Sequence, residues 1–135
     1  HNLGAIIRSA EAAGIRHIIV PKVRSVLVND TVMRVSAGAL NRVKIILVSN
    51  IHQTLLALKK QDFMIYATAM DGEDYRSFDY SNKKVLVIGS EGKGISDIVR
   101  KSSDAILSIP MKGDINSLNA SVAAGIFIFH MMEES

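Results

Sequence analysis

The chain has 135 residues, of which 48% are hydrophobic and 21% charged, a composition that indicates one globular domain and excludes a disordered protein. It contains no cysteine, which excludes disulfides and thiolate metal sites and leads us to expect a cytoplasmic protein. The net charge of +3 permits an anionic partner, and no apolar run reaches the length of a membrane span, so we expect no membrane association.

Helical and strand patterns alternate along the sequence. Apolar residues at helical spacing predict a helix over 2–13 that ends at Gly14. The apolar run 15–20, closed by Pro21, predicts a strand buried on both faces, and 22–30 is predicted to be a loop. Further helices are predicted over 31–40, 51–60 and 95–101, further strands over 43–48, 63–69, 85–88 and 105–109, and a polar loop over 71–84. This alternation predicts an α/β fold with a mainly parallel sheet flanked by helices.

The last third of the chain ends in a strongly apolar helix. Pro110 ends the preceding strand, and Gly113 and Asp114 supply turn chemistry. Asn116 or Ser117 is predicted to cap the helix. A helix that is apolar on nearly all sides is normally buried, so the polar groups at its start need partners. The backbone, another subunit and a ligand are the three candidates.

A glycine-rich loop, Gly89–Gly94, follows a predicted strand and precedes a predicted helix. Three glycines in six residues let a ligand approach the backbone closely, and a helix N-terminus offers free N–H groups. The glycine spacing differs from the dinucleotide-binding fingerprint, which disfavours a dehydrogenase-like domain, and it differs from a P-loop. A plain glycine-rich turn is the alternative interpretation.

Three segments, 2–10, 88–95 and 108–121, resemble in order the three motifs of the SpoU (TrmH) family of RNA ribose 2′-O-methyltransferases, within the SPOUT class. The resemblance implies S-adenosyl-L-methionine as cofactor, an RNA substrate and a C-terminal trefoil knot, although knots are rare. Because the sequence begins with His1 and not Met, we expect residues 1–135 to be the catalytic domain of a longer protein whose N-terminal substrate-binding region is absent.

The resemblance also implies roles for individual residues. An arginine is essentially always protonated, so Arg8 is expected to stabilise the developing alkoxide and not to act as a general base. Alternatives remain for three of these residues: a solvated surface residue for Arg8, and helix caps for Asn2 and Ser117. The implied catalytic residues are Arg8, Asn2, Glu91, Ser117 and Asn119. The implied cofactor-binding residues are Thr68, Ala69, Gly89, Glu91, Gly92, Ile109, Met111 and Leu118.

Substrate and assembly follow from the resemblance in the same way. It favours a guanosine of large-subunit rRNA as the target, with tRNA as the alternative substrate and a catalytically silent RNA-binding module as the alternative function. It also implies a homodimer through the N-terminal and C-terminal helices. The four histidines are scattered without metal-ligand spacing, so no metal is predicted. A modest basic cluster, which can touch RNA phosphates or face solvent, consists of Lys22, Arg24, Arg34, Arg42 and Lys44.

Overall fold

The computed structural model of the protein describes residues 2–27, 42–89, 93–114 and 118–133. In chain order the elements are α1 (Asn2–Ala13), β1 (His17–Pro21), a 3₁₀ helix (Lys22–Leu27), β2 (Lys44–Val48), α2 (Ile51–Lys59), β3 (Met64–Asp74), a second 3₁₀ helix (Tyr75–Ser77), β4 (Lys84–Val87), α3 (Asp97–Ser102), β5 (Ala105–Ser108) and α4 (Ala120–Glu133). None of the described helices combines the length and the apolar character that a membrane crossing needs.

The chain divides into two compact units. Unit 1 comprises His1–Ile51 and Ala120–Glu133, and unit 2 comprises His52–Asn119 with Glu134–Ser135. In unit 1, β1 and β2 pair in parallel, and helices α1 and α4 pack against each other. The fully buried Ile7 of α1 contacts both strands through Ile18 and Ile45. Helix α1 ends at Gly14, whose φ of 94° is a conformation that glycine adopts at little cost.

Unit 2 contains a parallel three-stranded sheet with the order β4-β3-β5. Ile65 in β3 and Leu107 in β5 are fully buried and form the centre of its core. The carboxylate of Asp104, which lies between α3 and β5, contacts two elements. Its Oδ2 accepts a hydrogen bond from the backbone N–H of Ile65 at 2.7 Å, and its Oδ1 lies 3.5 Å from the Nζ of Lys59 on α2. Lys59 also donates to the Ser102 carbonyl at the end of α3, at 2.9 Å.

An aromatic cluster fixes the segment that follows β3. The rings of Tyr66, Phe78 and Tyr80 meet mostly edge to face, with 4.8 Å between the centroids of the two tyrosines. The Tyr66 hydroxyl accepts a hydrogen bond from the backbone N–H of Ser81 at 3.2 Å. Burial of such rings is a large favourable term, so this connection is packed against β3.

The α/β class with parallel strands is confirmed, and α1 has the predicted bounds. The predicted short helix over 31–40 lies outside the described residues, and the C-terminal knot stays a prediction.

Four predictions were wrong in detail. Residues 22–27 form a 3₁₀ helix and not a loop, because such short turns commonly serve as connectors. Strand β1 is not buried on both faces, since His17 is exposed and only Val20 of its residues is buried. Strand β3 continues through Asp74 into the predicted polar loop. Helix α4 begins at Ala120, so Asn116 and Ser117 do not directly precede it.

Candidate functional site

Several predicted cofactor residues converge at the carboxyl edge of the sheet in unit 2. Thr68 pairs with Leu107 of β5, one residue beyond the last pair between β3 and β4. Gly89 lies two residues after the end of β4, and Ile109 directly follows β5. The order β4-β3-β5 also places successive strands on opposite sides of β3. Open α/β sheets bind ligands beyond the carboxyl ends of their strands at such a reversal of order.

Thr68 joins two strands at this edge. Its Oγ1 donates a hydrogen bond at 3.3 Å to the carbonyl of Val87, which is the last residue of β4. The side chain is half-buried, and Ala69 beside it is half-buried as well. Thr68 therefore holds the ends of β3 and β4 together where the glycine loop begins, while its oxygen can still accept a hydrogen bond.

Gly89 is a glycine for a different reason from the one expected. A Cβ at this position would lie 2.6 Å from the Gly94 carbonyl carbon and 2.9 Å from the backbone nitrogen of Ile95. The backbone of its own loop, and not a ligand, fills that direction. At Gly94, with φ of 66°, a Cβ would meet nothing within 4 Å. Open space for a ligand therefore lies at Gly94 on this loop, while Glu91 and Gly92 lie outside the described residues.

Apolar side chains are exposed in the segment after β5. Met111 and Leu118 are each 39% exposed, and Asn119, the residue before α4, is exposed too. Ser117 lies outside the described residues. Large exposed apolar side chains are suited to contact a flat, weakly polar ligand group.

The predicted catalytic residues of the first motif belong to unit 1. Arg8 is exposed on α1, while Ile7 before it and Ala10 two residues after it are buried. The backbone of Asn2 begins α1, and its side chain lies outside the described part of the structure. Helical spacing thus turns Arg8 to solvent while its neighbours pack inward.

The basic cluster of the sequence lies largely in unit 1. Lys22 and Arg24 follow β1, and Lys44 begins β2. The backbone N–H of Lys44 donates a hydrogen bond to the Arg16 carbonyl at 2.8 Å. Arg42 donates to the Glu11 carboxylate at 3.2 Å. Arg34 lies outside the described residues. The four described members of the cluster have exposed side chains.

A structural feature that the sequence did not predict is the interruption of β3. Thr68 and Glu73 both align with Leu107, so residues 69–72 leave the ladder between them. Gly72 and Ser108 close this interruption, and Asp71 is paired with Arg100. A glycine among the polar residues after an apolar strand is the signal that could have found it, since it often marks a bulge.

Other potential sites in the described residues are weaker. No three His, Asp or Glu side chains among them lie close enough together to hold a metal ion. A shallow depression of about 460 Å³ on the outer side of α2 is lined by Gln53, Leu56, Ala57, Lys59 and Lys60. It contains none of the predicted site residues and belongs to one helix face.

The chain is similar to a family of known proteins. Residues 1–129 match the model of the SpoU rRNA Methylase family. A 23S rRNA (guanosine-2′-O-)-methyltransferase, RlmB, from Xanthomonas campestris is 42% identical over 135 residues, which are 99% of this chain and 54% of that protein. The chain thus spans about half the length of the curated relatives it matches.

Solved structures agree with the sequence comparison. The SpoU methyltransferase AviRb from Streptomyces viridochromogenes, in complex with the cofactor AdoMet, superposes with a TM-score of 0.89 at 29% identity, over 98% of this chain and 55% of that one. The A. aeolicus TrmH/SpoU tRNA modifying enzyme gives a TM-score of 0.89 at 32% identity, over 99% of this chain and 68% of that one.

Proposed function

The chain belongs to the SpoU rRNA Methylase family, and from that premise we propose that it is the catalytic domain of an S-adenosyl-L-methionine-dependent RNA methyltransferase that modifies a ribose 2′-hydroxyl. The observation that carries the proposal is the convergence of Thr68, Gly89 and Ile109 at the carboxyl edge of the parallel sheet. A nucleoside-containing cofactor is the kind of ligand that this edge binds in α/β folds.

The residues at this edge fit the cofactor. Met111 and Leu118 offer exposed apolar surface to an adenine ring, and the open direction at Gly94 leaves the backbone accessible to a ligand. Backbone groups after β5, starting at Ile109, can hydrogen-bond the ring edge once the strand ladder has ended. Glu91 and Gly92 are proposed as further contacts through their positions in the second motif.

In this proposal the protein mainly positions two reactants. When bound, the cofactor supplies an activated methyl group on a sulfonium. The chain's own residues hold the ribose hydroxyl in line with it and exclude water, which can supply much of the rate. The Arg8 guanidinium stabilises the negative charge that develops on the hydroxyl oxygen. Asn2, Ser117 and Asn119 orient the substrate through hydrogen bonds.

Calorimetry with S-adenosyl-L-methionine and with NAD tests the cofactor class. We expect saturable binding of S-adenosyl-L-methionine and of its demethylated product, and no heat with NAD. Binding of NAD alone would instead support a dehydrogenase-like domain. Binding of S-adenosyl-L-methionine without methyl transfer to any RNA would support the silent RNA-binding module.

For the substrate, we propose a guanosine of large-subunit rRNA. The name of the Xanthomonas relative supports this target, while the name of the A. aeolicus structure supports tRNA as the alternative. Methyl transfer from labelled cofactor should be compared on a large-subunit rRNA fragment and on bulk tRNA, with the position of the methyl group read by mass spectrometry. Transfer to tRNA alone would reverse the assignment.

We further propose a homodimer in which each active site draws on both chains. Helix α4 supports this, because two of its large apolar side chains, Val122 and Phe129, are 53% and 47% exposed. Gly125 of the same helix faces α1 within the chain, since a Cβ at Gly125 would lie 3.7 Å from Ser9 Oγ. The exposed apolar residues are therefore the ones available to a second copy.

Mixing two inactive variants tests the shared site. Arg8→Ala and Asn119→Ala, allowed to exchange subunits at random, would form heterodimers in half of the population, each with one intact site. Activity should then return to about a quarter of wild type, by the symmetry of the dimer. A mixture that exchanges subunits and stays inactive would show that both residues serve their own chain.

A further inference from the structure

Strand β3 makes an excursion at the carboxyl edge of the sheet. Thr68 and Glu73 both align with Leu107 of β5, so residues 69–72 leave the ladder and return to the same partner residue. We call these four residues the β3 excursion. The excursion begins where the pairing of the central strand β3 with β4 has ended, and it returns to β5 through Glu73 and Asp74. This is where an α/β sheet of this order binds its ligand.

The return of the chain to β5 depends on Gly72. A Cβ at this position would lie 2.6 Å from the Ile106 carbonyl oxygen and 2.8 Å from the Leu107 carbonyl carbon, which are backbone atoms that cannot move aside. The Gly72 carbonyl in turn accepts a hydrogen bond from Ser108 Oγ at 2.8 Å. The far end of the excursion is thereby fixed to the last residue of β5.

The middle of the excursion is fixed by an ion pair. Arg100 Nη2 on α3 lies 2.7 Å from Asp71 Oδ2, although the two residues are 29 positions apart in sequence. The Arg100 guanidinium beside it lowers the pKa of the Asp71 carboxyl, so the pair is charged at neutral pH. With side chains 39% and 70% exposed, the pair contributes little to global stability. What it does is restrain the position of an otherwise projecting segment.

We propose that Gly72, Ser108 and the Asp71–Arg100 pair are positioning residues, which hold the β3 excursion in the shape that S-adenosyl-L-methionine binds. The proposal rests on the function proposed above. Its physical basis is that a loop held in its bound shape before binding loses less conformational freedom when the ligand arrives. Ala69, a predicted cofactor contact, is the first residue of the excursion, so the restraints on Asp71 and Gly72 act two and three residues away.

The test compares two arginines of unit 2 that form similar ion pairs. Arg76 Nη2 lies 2.8 Å from Asp74 Oδ2 in the 3₁₀ turn after β3, with both side chains partly exposed, and makes Arg76→Ala the matched control. We expect Arg100→Ala to weaken S-adenosyl-L-methionine binding by about threefold to tenfold in calorimetry. Arg76→Ala should stay within about twofold, and both variants should melt within about 2 °C of wild type.

A charge swap separates positioning from direct contact with the cofactor. Asp71→Arg and Arg100→Asp should each weaken binding, and the double variant should recover the wild-type dissociation constant to within about twofold. A double variant as weak as the worse single variant would mean that Arg100 acts directly on the ligand, which overturns the positioning role. Ser108→Ala removes a second restraint, the hydrogen bond to the Gly72 carbonyl, and should also weaken cofactor binding.

The outcomes distinguish the two proposals. If the wild-type chain does not bind S-adenosyl-L-methionine, the proposed function fails and the role of the excursion falls with it. If wild type binds, but Arg100→Ala and Ser108→Ala bind as tightly as Arg76→Ala, only the role of the excursion is overturned. Loss of affinity in proportion to a fall in melting temperature would show a merely structural role.

Discussion

The two units of the chain differ sharply in charge. Unit 1 carries seven Lys and Arg residues against three Asp and Glu residues, whereas unit 2 carries nine against ten. The whole positive excess of the sequence thus belongs to unit 1, while unit 2 is close to neutral. An excess of cations suits a polyanion, and exposed apolar side chains suit a nucleoside cofactor. We propose a division of labour in which unit 1 contacts RNA and unit 2 holds the cofactor.

The charges of unit 2 are also arranged differently. Its described ion pairs, Lys59–Asp104, Arg76–Asp74 and Arg100–Asp71, each join neighbouring elements or cap a turn. In unit 1 the described pair is Arg42–Glu11. The charges of unit 2 are therefore nearly balanced in number and partly paired, whereas unit 1 carries cations in excess of its carboxylates.

The largest expected effect comes from Arg8. Arg8→Ala should lower methyl transfer by about a hundredfold to a thousandfold, because its proposed role is to stabilise charge that develops in the transition state. Arg8→Lys should rescue little, since a point charge does not reproduce the planar guanidinium.

Cofactor binding should separate this effect from misfolding. Calorimetry should give nearly the same dissociation constant for Arg8→Ala as for wild type, because Arg8 belongs to unit 1. Arg16→Ala, which removes another exposed arginine of that unit, is the control and should retain most of the activity. Near-normal transfer by Arg8→Ala would return Arg8 to the role of a solvated surface residue.

The next effect is on the glycine loop of unit 2. Gly89→Val should abolish S-adenosyl-L-methionine binding, because its side chain would collide with the backbone of Gly94 and Ile95 and displace the loop. Gly94→Ala meets no protein atom and costs about 1 kcal/mol of conformational strain, so the loop should keep its place, and any smaller loss of affinity reports the methyl group added on the side proposed for the ligand. Calorimetry on both variants, with melting curves beside it, measures the difference. Unchanged affinity in Gly89→Val would remove this loop from the cofactor site.

These results also show what the sequence could and could not predict. The helical period fixed α1 to its observed bounds, and Gly14 marked its end, since both are local signals. The role of Gly89 in cofactor binding stays a prediction, while its close approach to the backbone of Gly94 and Ile95 was not predictable, because it depends on the folded path of the loop. The Asp71–Arg100 pair was not predictable, because it joins residues that only the folding of β3 and α3 brings together.

A smaller effect should appear in RNA binding. Replacing Lys22 and Arg24 of unit 1 by alanine should weaken RNA binding. It should also make the slope of log affinity against log salt concentration shallower by about 0.7 to 0.9 for each lost phosphate contact. The control removes two exposed lysines of unit 2, Lys60 and Lys101, and should change the salt dependence little. Fluorescence anisotropy at several salt concentrations measures both. Equal effects of the two double variants would contradict the division of labour.

The smallest expected effect concerns pH. Arg100 lowers the pKa of Asp71 in the folded protein, so the stabilisation from this pair is present above the ordinary carboxyl pKa and is lost only as pH falls through the lowered value. The difference in cofactor affinity between wild type and Arg100→Ala should therefore be the same at about pH 6 and about pH 8. Calorimetry at both values measures it, and a difference that disappears at the lower pH would mean that another group carries the effect.

The most direct test of the account is hydrogen exchange with and without S-adenosyl-L-methionine, read by mass spectrometry. Residues 68–72, 93–95 and 109–111 of unit 2 should become protected when the cofactor binds, because they border the proposed site. The β1–β2 pair and the 3₁₀ helix Lys22–Leu27 of unit 1 should exchange as before. Protection confined to those elements of unit 1, or no protection at a saturating cofactor concentration, would contradict the proposal that the sheet edge of unit 2 holds the cofactor.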